Sequence, residues 1–213
     1  MTSETAAEPK ALEILESVKA MFASKGFDGA SMQDLARAAD MSAGNFYRYF
    51  PSKNAIIEAM IERELDQVRG EFSNVVQSPD PLAAFRGMVR QRVETGGDCE
   101  SQIWVEMEAA AARRPEVAAL FVRMETEITR ALVAVFARIA DLPQDEAEQR
   151  FSAHARLIVM LVQGVSTRCA SLAGSPKPPP DRQLAALVVR VIEHTLSEVA
   201  APGASWTAEP DVS

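Results

Sequence analysis

One segment of the chain, residues 31–53, concentrates side chains whose chemistry suits nucleic acid. Asn45 can form a bidentate pair with the edge of an adenine. Tyr47 and Tyr49 can each donate a hydroxyl hydrogen bond to a phosphate. These two kinds of side chain, close together, predict a surface that reads bases and holds the DNA backbone.

The residues on either side of Asn45 strengthen this prediction. Ser42 can cap a helix with its hydroxyl, and Ala43 and Gly44 place little side chain between the helix backbone and a duplex. The charged residues from Ser42 to Lys53 are both cations, Arg48 and Lys53. Because Lys53 stands at the start of the next predicted helix, the helix dipole there also favours an anion such as phosphate.

Two short helices around a tight turn are needed to position these side chains. Ser31 and Asp34 have the spacing of a capping box at the first helix, and Ser42 begins the second, which extends to about Tyr49. The pattern predicts a helix-turn-helix motif at about residues 31–50, whose second helix lies in the major groove. The apolar residues able to pack between its helices are Leu35, Ala36, Met41 and Phe46.

Each of these residues also has a purely structural interpretation. The two serines can be helix caps alone, and one of the rings of Tyr47, Tyr49 and Phe50 can belong to the core. A single lysine such as Lys53 is most often a solvated charge. The joint occurrence of these residue types on one short helix favours the DNA-binding interpretation.

The same segment resembles the N-terminal domain of TetR-type (TetR/AcrR) transcriptional regulators. The resemblance covers residues 11–60 and is specific. This chain has Ser31, Phe46 and Tyr49 where family members usually have Thr, Leu or Ile, and His respectively. The motifs that carry the resemblance are Phe22-x-x-x-Gly26-Phe27, Met32-x-x-Leu35-Ala36 and Ser42-x-Gly44-x-Phe46-Tyr47-x-Tyr49-Phe50-x-Ser52-Lys53.

The resemblance also implies which residues contact DNA. Those nearest base edges would be Gln33, Ala43, Gly44 and Asn45. Those holding phosphates would be Ser31, Ser42, Tyr47, Tyr49 and Lys53, with Arg48 as an addition.

Beyond this segment, apolar residues recur at spacings of three and four, and no convincing strand-like alternation is present. The sequence therefore predicts an all-α fold of about nine helices, with an N-terminal three-helix DNA-binding domain followed by a larger C-terminal helical bundle. The first helix stops at Gly26. The predicted helices are 9–25, two short ones within 31–49, 53–77, 82–95, 101–113, 115–140, 144–173 and 181–200. The predicted divisions are a loose N-terminus at 1–8, the DNA-binding domain at 9–53, a ligand-binding and dimerisation domain at 54–200 and a loose C-terminus at 201–213.

The last two predicted helices are apolar around most of their circumference, at 157–162 and 184–192. Such helices need cover on more than one side. In TetR-type proteins the last two long helices pair with their copies, so the resemblance implies a homodimer, and the alternative is a core made wholly within one chain. The residues predicted at the dimer interface are Leu157, Leu161, Leu184, Val188 and Val191.

A methionine-rich interior between these parts suggests a site for a small molecule. Methionine adapts to different shapes, so such a lining would suit a mostly apolar effector. Ordinary core packing is the alternative for each lining residue, and Glu108 is either a polar anchor for the ligand or a solvated residue. The residues predicted to contact the ligand are Phe85, Met88, Trp104, Met107, Phe121, Met124 and Met160.

Composition excludes several other classes of protein. The longest apolar run in the 213 residues is seven residues long, at 131–137, which is too short for a bilayer span. No secretory signal is visible, so we expect no membrane partner and a cytoplasmic location. Two cysteines and two histidines offer neither a disulfide framework nor a zinc-like spacing, so we expect no metal and no cofactor. Cys99 is either oxidisable or, as we favour, a bystander.

The net charge of −8 has to be reconciled with DNA binding. Residues 1–53 carry six Lys or Arg and seven Asp or Glu, so most of the excess acid lies in the rest of the chain. Physiological salt screens charges over about 8 Å. A distant acidic bundle therefore opposes a local cationic edge only weakly.

These observations together predict a homodimeric regulator. We expect a repressor that a small, mostly apolar molecule releases from a palindromic double-stranded operator. A helical-bundle enzyme is one alternative, but the motifs Gly-x-Ser-x-Gly, Gly-x-Gly-x-x-Gly and His-Glu-x-x-His are absent from the sequence, so we expect no catalytic residues. An adaptor that uses its apolar last helices to bind another protein is the second alternative.

Overall fold

The computed structural model describes residues 7–95, 105, 108–171 and 182–201, and the regular structure in these ranges is α-helical. The predicted all-α fold is confirmed. No stretch of the described helices has both the length and the apolar content of a bilayer-spanning segment. The helices are α1 (Ala7–Gly29), α2 (Met32–Ala38), α3 (Ala43–Tyr49), α4 (Lys53–Gln77), α5 (Pro81–Thr95), α6 (Pro115–Ala140), α7 (Gln144–Ser171) and α8 (Arg182–Ala200).

Some predicted elements fall outside these ranges. The predicted helix at 101–113 lies mostly outside the described residues, which show a helical turn at 108–111. The predicted loose ends at 1–8 and 201–213 lie almost entirely outside them, and so does Cys99.

Glycine, proline and aspartate set several of the helix ends. Gly26 interrupts α1 with φ 71° and ψ 164°, which agrees with the predicted stop, and one further turn follows as far as Gly29. This backbone conformation is accessible almost solely to glycine. Pro115 begins α6, and Asp141 ends it in the left-handed conformation with φ 53°.

A first core is enclosed by α1, α2, α3 and the first half of α4. The rings of Phe22 and Phe27 lie in it with their centroids 5.4 Å apart. The predicted domain boundary between residues 53 and 54 coincides with the start of α4, but this core continues along α4 as far as Leu65. It also takes in three residues that come later in the chain, Ala110, Val117 and Met124.

A second core lies between the second half of α4 and helices α5 to α8. A chain of rings runs through it, with centroid distances of 6.4 Å from Phe72 to Phe85, 6.0 Å from Phe85 to Phe136 and 6.2 Å from Phe136 to Phe151. Because α4 belongs to both cores and protein interiors are close-packed, a displacement of α4 disturbs both.

Candidate nucleic-acid interface and cavity

The two short helices of the predicted motif are held at their starts by serine caps. The Ser31 hydroxyl accepts a hydrogen bond from the Asp34 amide at 3.1 Å, and the Asp34 carboxylate accepts one from the Ser31 amide at 3.0 Å, which completes the capping box. The turn passes through Asp40 at φ 52°. The Ser42 hydroxyl then accepts a hydrogen bond from the Asn45 amide at 3.3 Å and caps α3.

Helix α3 turns one residue to the core and most of the others to solvent. Phe46 is fully buried, whereas the side chain of Tyr47 is 45% exposed. A partner can therefore meet the outer face of α3 while Phe46 keeps the helix attached to the core. The other predicted contact residues that are exposed are Ser31, Gln33, Ser42, Ala43, Gly44, Asn45 and Arg48.

Gly44 has no role within the described protein that requires a glycine. Its backbone is helical, and a Cβ placed on it would meet no atom within 4 Å. Glycine inside a helix is less stable than alanine by about 1 kcal/mol. The missing side chain therefore leaves space above the α3 backbone at a place where another molecule can approach.

Two of the residues predicted to hold phosphates are partly used by the protein itself. The Ser31 hydroxyl donates a hydrogen bond to the Asp34 carboxylate at 2.6 Å. Tyr49 is half-buried against the first core, and the Arg48 guanidinium lies 5.6 Å from the centroid of its ring. The tyrosine ring thus helps to position the Arg48 cation.

Lys53 lies at the start of α4, and its ammonium is engaged by the protein itself. Its ammonium donates hydrogen bonds to the backbone carbonyls of Phe27 at 2.9 Å and Ala30 at 3.1 Å, and the Asp28 carbonyl lies 3.4 Å away. These three carbonyls account for the three donors of an ammonium. In this arrangement the side chain ties the start of α4 to the end of α1 and to Ala30, and the phosphate contact of Lys53 stays a prediction.

The last turn of α1 is also bonded to the C-terminal bundle. The guanidinium groups of Arg113 and Arg114 donate hydrogen bonds to the Asp28 carboxylate at 2.9 Å and 2.8 Å. These bonds, that of Arg113 above all, hold the pKa of Asp28 below its usual value. Because the two arginines directly precede α6, they connect the last turn of α1 with the C-terminal helices. We call this set, Asp28 with Arg113 and Arg114, the interdomain clamp.

A cavity of about 750 Å³ lies between α4, α5, α6 and α7. This volume is sufficient for a drug-sized molecule. The predicted ligand residues Trp104 and Met107 lie outside the described residues. The prediction for Met160 is corrected, because its side chain is 63% exposed on the outer face of α7 and does not line this cavity. The predicted residues that do line it are Phe85, Met88, Phe121 and Met124.

The cavity wall also has a polar part, of which the sequence analysis indicated only Glu108. Glu71 and Arg92 form an ion pair there at 2.9 Å. Glu108 lines the cavity too, and partial burial raises the pKa of its carboxyl although much of the side chain stays accessible. The other polar lining residues are Glu64, Gln67, Asn74, Gln91, Thr95, Gln163, Ser166 and Thr167.

Helices α7 and α8 carry exposed apolar side chains on their outer faces. Val188, which is predicted at the dimer interface, is 8% exposed and packs in the second core of its own chain. Leu161 is half-buried against the same core. Leu187, which the sequence pattern did not single out, is 47% exposed. We call the exposed set the outer stripe, and it consists of Leu157, Met160, Leu184, Leu187 and Val191.

Family models match two parts of the chain. Residues 14–60 match the model described as bacterial regulatory proteins, tetR family. Residues 81–197 match the model described as BetI-type transcriptional repressor, C-terminal. The second match alone covers more than half of the chain, and the first contains the whole helix-turn-helix.

Individual relatives are also transcriptional regulators. The HTH-type transcriptional regulator UidR of Escherichia coli K12 is 28% identical over 128 residues, or 59% of this chain, and the match spans only 64% of the length of UidR. The HTH-type transcriptional regulator EthR of Mycobacterium tuberculosis H37Rv is 26% identical over 193 residues, which cover 88% of this chain and 87% of EthR.

Solved structures share the fold. Salmonella enterica GusR has a TM-score of 0.67 at 24% identity, covering 89% of this chain and 96% of its own. NalD, the secondary repressor of the MexAB-OprM multidrug efflux pump in Pseudomonas aeruginosa, has a TM-score of 0.60 at 18% identity, covering 90% of this chain and 98% of its own. The matched family and relatives are regulators and not enzymes, which sets the enzyme alternative aside. With a capped helix-turn-helix followed by a helical bundle, the chain belongs to the TetR family of bacterial transcriptional regulators.

Proposed function

We propose that this chain is a homodimeric repressor that binds a palindromic operator and releases it when a small molecule occupies the cavity. This proposal rests on the position of α4. The first half of α4 supports the helix-turn-helix through the first core, and its residues 64–75 form one wall of the cavity. A DNA-binding part at about 9–53 and a ligand-binding and dimerisation part at about 54–200 would thus share one helix, through which a ligand can act on the DNA-binding surface.

The proposed partner is double-stranded DNA in the cytoplasm. In a dimer, two copies of α3 would enter successive major grooves about 34 Å apart. The residues assigned to base edges are Gln33, Ala43, Gly44 and Asn45, all of them exposed. The residues assigned to phosphates are Ser31, Ser42, Tyr47, Arg48 and Tyr49.

The outer stripe supports the proposed dimer. A contiguous apolar surface on a single chain marks an interface with another molecule. On α7 the exposed Gly164 follows Met160 by one turn and Leu157 by two, and open space lies where its Cβ would be. A small residue at this place lets a second helix approach closely, so we assign the stripe to a two-fold, four-helix contact with a second copy.

The proposed release by a ligand needs no change in the residues that contact bases. A ligand that binds better when α4 is displaced favours a dimer whose two α3 helices are wrongly spaced for the operator. Coupling of this kind is commonly about 1–3 kcal/mol, or 5- to 150-fold in affinity. The effector would occupy the surface lined by Phe85, Met88, Phe121 and Met124.

Selection of bound duplexes from a random pool tests this function. We expect a palindromic consensus with two half-sites, and binding by an Asn45→Ala, Tyr47→Phe double variant that is weaker by about 5- to 150-fold, because one base contact and one phosphate contact are lost. Gln149→Ala, an exposed position on α7, is the control and should bind as the wild type does.

Three outcomes would count against the proposal. Full-strength binding by the double variant would remove α3 from the groove. Enrichment of no duplex at all would remove the DNA-binding function. A monomer in light scattering would favour the adaptor alternative, in which the outer stripe binds a different protein.

A further inference from the structure

The cavity wall combines aromatic surface with an excess of acid. Three phenylalanine rings line it, those of Phe72, Phe85 and Phe121. Among the described lining residues, the charged side chains are three carboxylates and one guanidinium. A wall of this composition attracts a cation and offers ring faces to it. The charged residues are Glu64, Glu71, Glu108 and Arg92.

The one guanidinium in this part of the wall is already engaged. Arg92 donates a hydrogen bond to the Glu71 carboxylate at 2.9 Å, so these two charges largely neutralise each other. The negative charge that the described wall leaves unbalanced is therefore that of Glu108. This charge would repel an anionic ligand. The described lining residues offer no unpaired cation to bind such a ligand.

Glu108 lines the cavity with an exposed side chain. Within the described part of the chain, its carboxylate has no hydrogen bond or ion pair, although it borders the cavity. Burial is the physical cause that raises its pKa, which means that the surrounding protein removes water from the carboxylate without supplying a cation. A charge in this condition gains more from a bound cation than a fully hydrated one does.

We propose that this cavity selects lipophilic organic cations, with the positive charge against Glu108 and the apolar body against Phe85, Phe121 and Met124. This inference rests on the proposed function, since it names the chemical class of the effector. A neutral ligand of the same shape would leave the carboxylate unpaired, and an anion would be repelled. The aromatic walls favour a cation with spread charge and a large apolar surface over a small hydrated one.

Two probes of nearly the same shape and opposite charge test the proposal. Tetraphenylphosphonium and tetraphenylborate each present four phenyl rings, so a difference in affinity reports on charge. We expect calorimetry on the full dimeric chain to show phosphonium binding at least 10-fold tighter than borate binding. Glu108→Gln should weaken phosphonium binding about 2- to 5-fold, as for a partly solvated ion pair, and should reduce the difference in affinity between the two probes.

The control variant is Glu94→Gln, which removes an exposed carboxylate on α5 that does not line the cavity. It should bind both probes as the wild type does, and circular dichroism checks that each variant is folded. Equal affinity for the two probes, no binding of either, or an unchanged phosphonium affinity in Glu108→Gln would each overturn the proposal. Failure of the chain to bind any duplex would overturn the proposed function alone, because the probe comparison needs no DNA.

Discussion

A cation at a helix start, such as Lys53, can bind a DNA phosphate or stabilise the fold. The two roles predict different stabilities of the protein when no DNA is present. We predict that Lys53→Met lowers the free energy of unfolding by about 1–3 kcal/mol, because the carbonyls of Phe27 and Ala30 lose a charged donor. Urea unfolding without DNA measures this change. The control Lys10→Met removes an exposed ammonium paired with Glu13 and should leave the stability almost unchanged.

The opposite result would restore the role expected from the sequence. If Lys53→Met unfolds as the wild type does and weakens operator binding with a salt slope reduced by about one unit, Lys53 is a phosphate contact and the carbonyl contacts contribute nothing.

Asp34 makes part of the stability of the helix-turn-helix depend on pH. Hydrogen bonds from the Ser31 hydroxyl and amide, and then from the Lys25 ammonium, hold the pKa of Asp34 far below its usual range. A carboxylate with a lowered pKa in the folded state stabilises the protein above the unfolded-state pKa of about 4, and this contribution disappears as the pH falls through the folded-state value. We predict that Asp34→Asn lowers Tm most at pH 6–7 and that its difference from the wild type shrinks steadily below pH 4.

Thermal unfolding followed by circular dichroism between pH 3 and pH 7 measures this dependence. Asp66→Asn, an exposed aspartate paired with Arg69 on α4, is the matched control and should show a small difference at every pH. A Tm difference for Asp34→Asn that stays constant with pH would mean that the carboxylate charge plays no part in the cap.

Local contacts could be predicted from the sequence, whereas distant ones could not. The capping box of Ser31 and Asp34 spans three residues, so its spacing identifies it. The partners of Lys53 lie 23 to 26 residues upstream, and no local pattern indicates them. The same holds for Asp28, whose arginines are 85 and 86 residues away.

At the scale of helices, proline and glycine made most ends predictable. Pro115 and Gly26 fix backbone geometry by themselves, so α6 begins and α1 is interrupted where the sequence indicates. The division into domains stays a prediction, and the packing of α4 crosses the predicted boundary. A boundary at residue 53 treats α4 as the start of a new unit, but Leu65 lies in the first core and Val68 in the second.

The interdomain clamp is the element-scale feature best suited to carry a signal from the cavity. In the sequence, Arg113 and Arg114 lie between Glu108 and Phe121, which both line the cavity, and they bind Asp28 in the last turn of α1, just before α2. We predict that Asp28→Asn leaves operator affinity without ligand close to that of the wild type but reduces the effect of tetraphenylphosphonium on operator binding by about 2- to 30-fold. The measurement is the ratio of operator Kd values with and without the probe.

The matched control is Asp145→Asn, which changes an exposed aspartate in the first turn of α7. It should leave the ratio of operator Kd values with and without the probe unaffected. An unchanged ratio in Asp28→Asn, with normal binding of the probe, would show that the signal passes through α4 without the clamp.

At the scale of the whole molecule, the sequence predicts which helices carry the proposed dimer contact but not which of their side chains are exposed. Residues 184–192 are apolar on nearly every side, so the pattern offers no means of choosing between neighbours. Val188 and Leu187 differ by one position, or about 100° around the helix. The second core takes Val188 and leaves Leu187 outside, and this choice depends on how α8 packs against α5 and α7.

Leu187→Glu tests whether the outer stripe holds two copies together. In the proposed interface a carboxylate at this position would be buried without a cation, which is strongly unfavourable, whereas on a monomer it would be solvated and harmless. We predict a folded monomer in light scattering at concentrations where the wild type is a dimer. Affinity for a full palindrome should fall by about 10- to 100-fold because the two DNA-binding domains are no longer linked, while affinity for an isolated half-site should stay the same.

The control Val122→Glu places the same charge at an exposed position on α6 and should remain dimeric. A Leu187→Glu chain that stays dimeric and binds the palindrome at full strength would show that the copies meet through another surface.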